Sequence, residues 1–117
     1  MATFVISKKN NGDFKFVLTS RKGKIIITSI AYLSEDECES AIEKMKFLLP
    51  ELIFITEKAS GNKYLFKIFN QEELFAVSRK YTTLLLLQKG IDEIKSNINT
   101  CVTLNFSNDN FIFQDFD

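Results

Sequence analysis

The chain states one pattern twice. Phe14-Lys15-Phe16-Val17-Leu18 leads through a basic turn and an Ile run to Ser29-Ile30-Ala31-Tyr32, then to a helix-like segment ending Ala41-Ile42-Glu43-Lys44-Met45-Lys46. About fifty residues later come Tyr64-Leu65-Phe66-Lys67-Ile68, an acidic turn, an apolar run, Ser78-Arg79-Lys80-Tyr81, and Gly90-Ile91-Asp92-Glu93-Ile94-Lys95. A fixed period changes what the building block is. Each block is too small to cover its own strands, so the two must share a core.

Within each block the apolar spacing separates strand from helix. Phe14, Phe16 and Leu18 alternate with Lys15 and Val17, the period of a half-buried strand. With Lys22-Gly23 as a hairpin turn, Leu18 pairs with Ile27 and Phe16 with Ser29. Phe14, Phe16, Leu18, Ile25 and Ile27 then share the core face. Ser34 is a helix cap and Glu37, three residues on, completes a capping box. Cys38, Ala41, Ile42 and Met45 make the stripe of an amphipathic helix, which Pro50 stops.

The second block opens with a strand at Leu52–Ile55, turns at Gly61-Asn62, and alternates Tyr64, Phe66 and Ile68. Its second hairpin is one residue shorter, so the offset between blocks falls from 50 to 49. Thr83 is the second cap, Leu84 and Leu87 join the stripe with Ile91 and Ile94, and Gly90 stands where Ala41 stood. Glycine inside a helix costs about 1 kcal/mol relative to alanine, and a close contact is the usual reason for it. Val102, Leu104 and Phe106 form a further strand. Ser107–Asn110 is a turn, and Phe111–Phe113 a short last strand.

The expected organisation is one α+β domain over residues 1–117. Repeat one covers about 1–50, repeat two about 51–106, and a C-terminal extension about 107–117. Two fused β-β-β-α(-β) units make one antiparallel sheet with both helices on one face. Twelve phenylalanines, with no tryptophan and no histidine, suit a sheet-rich core.

Residues Phe16-Val17-Leu18, Gly23 to Ser29, Tyr32 and the Ala41-Ile42 helix resemble the YegP-like family of small bacterial tandem-repeat proteins of unknown function. Residues 4–48 match its pattern closely and 54–96 more loosely. The second block departs in the hairpin Asn70-Gln71-Glu72-Glu73, which lacks glycine, and at Val77, where the first block has Thr28. The resemblance implies paired units, one merged sheet, and C-terminal strands exchanged between units. It implies no activity.

The residues themselves offer little chemistry. Without histidine, the usual base near neutral pH is missing, and no His/Cys set holds zinc. Asp109, Asp115 and Asp117 fit no cation loop. No catalytic residue, metal or cofactor is expected, and enzymatic activity is the weaker reading. Cys38 and Cys101 read as structural. Fifteen basic and fifteen acidic residues cancel, so a nucleic-acid surface is not expected even though Lys8-Lys9 and Arg21-Lys22-Lys24 lie on turns. No stretch reads as a signal peptide or a spanning helix, so a cytoplasmic protein without membrane attachment is expected.

Two features remain as candidate sites. Ser29/Tyr32 and Ser78/Tyr81 recur before each helix. The leading reading is structural, with each serine bonding backbone at a strand end and each tyrosine packed under the helix with its hydroxyl in water. The other is a twinned polar site for a small molecule or an enzyme. Leu65, Phe69, Phe75 and Val77 fall on the sheet face away from the helices and form a possible interface. Such a face calls for a cover: the aromatic tail with Phe111, Phe113 and Phe116, a second copy of the chain, or another partner. The leading function is a non-catalytic binding or assembly module acting through the open face or edges of the sheet, with homodimerisation or an unidentified protein partner.

Overall fold

The computed structural model describes residues 2–106. The turn at 107–110, the strand at Phe111–Phe113, the cover by the tail and the acidic positions Asp109, Asp115 and Asp117 lie outside the described residues. The chain runs β1 (Thr3–Lys8), β2 (Phe14–Thr19), β3 (Ile25–Ser29), α1 (Glu35–Phe47), β4 (Ile53–Ala59), β5 (Lys63–Asn70), β6 (Glu73–Ser78), α2 (Leu84–Asn97) and β7 (Val102–Asn105). Single turns of 3-10 helix at Leu49–Glu51 and Ile98–Thr100 follow the helices.

The strands form one seven-stranded sheet in the order β4-β5-β6-β3-β2-β1-β7. Every pairing is antiparallel except β1 with β7, which is parallel. The sheet is therefore mixed and not wholly antiparallel. β7 reaches β1 through the long connection over α2, and such a crossover, unlike a hairpin, allows a parallel partner. The strand after each helix lies at an edge of the sheet: β4 pairs only with β5, and β7 only with β1.

Phe4, Phe16, Phe66, Ile6, Leu18, Ile27 and Ile68 fill the space between the sheet and the Cys38, Ile42, Met45, Leu87, Ile91 and Ile94 stripes. Ser34 and Thr83 cap the helices by accepting from Glu37 and Leu86 N–H at 3.2 and 3.1 Å. Glu37 reaches one residue further back than a capping box requires and accepts from Leu33 N–H at 2.9 Å. Leu84 is exposed rather than part of the stripe, as are Leu85 and Leu86, since the second helix turns Leu87 alone inward in its first turn.

The turn chemistry departs from a two-residue loop in the first half. Ser20 and Lys24 close a three-residue loop, with Ser20 N–H donating to Lys24 C=O at 2.8 Å and Gly23 at φ 85°. That is a type I turn followed by a left-handed residue, a position glycine fills without strain.

The same loop brings a register slip. Leu18 faces Ile27 as expected, but Thr19 faces Ile25, leaving Ile26 unpaired. In the second half Ile68 faces Ala76 and Phe69 faces Leu74, leaving Phe75 unpaired. A bulge frees its extra residue from strict alternation. Ile26 and Phe75 both turn inward, at 4% and 0% exposure. This corrects two expectations: Ile26, not Ile25, joins the core, and Phe75 leaves the outer face. Strict alternation misplaced them because it assumes an unbroken ladder. The bulges also knit the halves together. Ile30 N–H donates to Phe75 C=O at 3.1 Å, and Arg79 N–H to Ile26 C=O at 2.9 Å, beside the β3–β6 pairing.

Candidate functional site

The recurring serines are buried at the end of β3 and β6. Ser29 Oγ accepts from Phe16 N–H at 2.9 Å and donates to Ile30 C=O at 2.7 Å. Ser78 Oγ accepts from Phe66 N–H at 2.9 Å and donates to Arg79 C=O at 2.6 Å. Each hydroxyl replaces a backbone partner where the ladder between neighbouring strands stops. Its loss would strand a buried N–H, at a cost of about 1–3 kcal/mol. Both serines are committed to backbone and offer no nucleophile.

The tyrosines are placed differently. Tyr32 makes a bridge with Phe14, and Tyr81 with Tyr64. Their rings stack on Phe16 and Phe66 at 6.2 Å, with interplanar angles of 13° and 15°. Each stands in a cleft between its own helix and a strand of the other half. Tyr32 shares a cleft of about 160 Å³ with Glu37, Ser40 and Lys44 of α1 and with Glu73 and Phe75 of β6. Tyr81 shares one of about 180 Å³ with Lys89, Gly90 and Glu93 of α2 and with Lys24 and Ile26.

These clefts match position for position. Glu73 stands in the first where Lys24 stands in the second, and Phe75 where Ile26 stands. Burial raises the Tyr32 phenol to about 12, with the thiol of Cys38 and the carboxylates of Glu73 and Glu37 adding to the effect. Burial also raises Tyr81, against the opposing pull of Arg79. Tyr32 Oη is buried without a hydrogen bond. Neither phenol is prepared to ionise near neutral pH.

Gly90 belongs to the second cleft. A Cβ there would collide with Tyr81 Oη and lie 2.8 Å from Cζ. The glycine is the clearance for the tyrosine, the close contact its place in a helix implied.

On the outer face, Leu65, Phe69 and Val77 are half-buried, while Phe75 is in the core. β4 extends this face with Ile53 opposite Phe69 and Ile55 opposite Lys67, at 45% and 43% exposure. Glu57 and Lys67 pair across it at 3.1 Å. The structure thus brings Leu65, Phe69 and Val77 together with residues the sequence did not single out. Alternation alone could have marked Ile53 and Ile55, but not that β4 would be an edge. The cations beside Tyr81 were equally hidden: Arg79, Lys24 and Lys89 are far apart in sequence and converge only through the β3–β6 seam.

Among the described residues no group of His, Cys, Asp and Glu is arranged to hold a metal. No helix among them is long and apolar enough to cross a membrane.

No protein-family model matches the chain. The UPF0339 protein YegP of Escherichia coli K12 is 29% identical over 96 residues, covering 80% of this chain and 87% of that protein. A UPF0339 protein of Shewanella oneidensis is 27% identical over 99 residues, covering 83% and 90%. The solution structure of a Shewanella oneidensis UPF0339 protein superposes with a TM-score of 0.82 over 93% of this chain and 94% of that one, at 23% identity. That of Escherichia coli YegP, described as a protein of unknown function, gives 0.82 over 93% and 96%, at 25% identity. In sequence over four-fifths of its length, and in fold over nearly all of it, the chain is similar to the YegP-like, UPF0339 proteins.

Proposed function

We propose that the chain is a cytoplasmic, non-catalytic assembly module that pairs with a second copy of itself along β4 and the adjoining outer face. Residues 1–50 and 51–106 act as two halves of one unit. The observation that carries this reading is the exposure of Ile53 and Ile55 on the edge strand, continuous with Leu65, Phe69 and Val77. An open edge offers unpaired backbone groups to another chain, and apolar residues along it favour that pairing. Charge does not oppose self-association. With a two-fold axis at Thr56, Thr56 faces its own copy and Phe54 faces Lys58, while the Lys67 pair offsets the charge of Glu57. The free thiols of Cys38 and Cys101 suit a reducing compartment.

Light scattering tests the dimer. The wild-type chain is expected at the mass of two chains and Ile55→Lys at the mass of one. Leu85→Gln, on exposed α2 surface away from the edge, should leave the dimer intact. A wild type that stays monomeric at every concentration measured would overturn the reading.

A further inference from the structure

The two tyrosine clefts are matched in position but opposite in charge. Around Tyr32 stand Glu37, Lys44 and Glu73. Around Tyr81 stand Lys24, Arg79, Lys89 and Glu93. The first carries one excess negative charge and the second two excess positive charges. Residues held for packing have no need of this reversal, since the surrounding frame of stacked ring, cap and bulge is the same in both halves.

The cations of the second cleft are available. Among the described residues no carboxylate lies within ion-pair distance of Lys24, Arg79 or Lys89. Arg79 is also held in place: its guanidinium lies 5.4 Å from the Tyr81 ring, whose other partner is Phe66. A braced guanidinium in a cleft also lined by two lysines matches a phosphate, which takes two parallel hydrogen bonds from arginine and point charges from lysine.

Beside the cleft is a second hollow of about 410 Å³, and the two share Ser20 and Glu93. Asn97, Arg21 and Lys22 complete that hollow. Its lining is polar throughout and contains no aromatic ring. The ring of Tyr81 is already engaged by Phe66 and Arg79, so nothing there stacks a base, as single-stranded nucleic acid or a nucleotide would want. Carboxylate, hydroxyl and amide groups beside a phosphate seat suit a body rich in hydroxyls.

We propose that the Tyr81 cleft binds a phosphorylated sugar or polyol, with the phosphate on Arg79, Lys24 and Lys89 and the hydroxyls toward Glu93, Ser20 and Asn97. The Tyr32 cleft, with Glu73 in place of Lys24, does not bind it.

Titration of the full chain, followed by amide NMR, tests this with glucose 6-phosphate, inorganic phosphate and glucose as probes. Glucose 6-phosphate is expected to shift amides at 20–24, 79–81 and 89–97 and to bind more tightly than either other probe. Arg79→Gln should weaken binding by about tenfold or more, the worth of a charge-assisted pair. Lys89→Gln should weaken it less, and Lys44→Gln in the first cleft should leave it unchanged. All three side chains are on the surface, so the amide spectrum itself reports that the fold is kept. No shift at these amides with either phosphate compound would overturn the proposal. So would binding that Arg79→Gln leaves intact, or tighter binding of a single-stranded oligonucleotide.

Discussion

Single side chains show how the fold treats polar groups. Ser29 and Ser78 were legible as serines that bond backbone at a strand end, but a sequence does not show which N–H meets the lone pair and which C=O takes the proton of each. Tyr32 and Cys38 are acids whose neutral forms burial favours. Tyr32 rises from 10.0 to about 12. Cys38 rises from 9.0 to about 12, again through burial first and then the Glu37, Glu39 and Glu35 carboxylates. The unfolded chain releases these protons earlier than the folded one. Their contribution to stability is therefore complete below about pH 9 and is lost as pH rises toward about 12. Urea denaturation across that window should show a falling midpoint, and Tyr32→Phe should flatten the part of the fall above pH 10, the unfolded phenol's value.

At the level of elements, the helices were readable almost entirely. Caps, stripe and stop are local signals, and local hydrogen bonds decide them. The hairpins were less so, because each carries a bulge, at Ile26 and at Phe75, that breaks the alternation read along the chain. Gly90 links the two levels. Replacing it with alanine gains about 1 kcal/mol of helix propensity. The new Cβ would meet the Tyr81 ring far inside contact distance, and overpacking of this kind costs about 1–3 kcal/mol. Gly90→Ala should therefore lower the melting temperature. Ala41→Gly on α1, where no such contact is relieved, should also destabilise, through propensity. Stabilisation by Gly90→Ala in thermal melts would show that the ring can move aside freely.

Across the whole molecule, the β3–β6 seam joins two halves that bury one continuous core. Neither half covers its own strands, and β7, which follows α2, pairs with β1 at the far edge. Unfolding should then be a single transition, with fluorescence and circular dichroism tracing coincident curves. Two resolved transitions would mean that residues 1–50 and 51–106 fold as separate units.

The sequence by itself determined the class of fold, the two helices with their caps and the alternating strands. These depend on spacing and residue type, which are written along the chain. Only the tertiary structure decided which strands became edges, that β7 lies parallel to β1, that Phe75 packs inward, and that Arg79, Lys24 and Lys89 meet beside Tyr81. Each of these follows from how distant segments dock. Alternation specifies a strand's two faces but not its neighbour, and charge along the chain does not show which charges a seam will bring together.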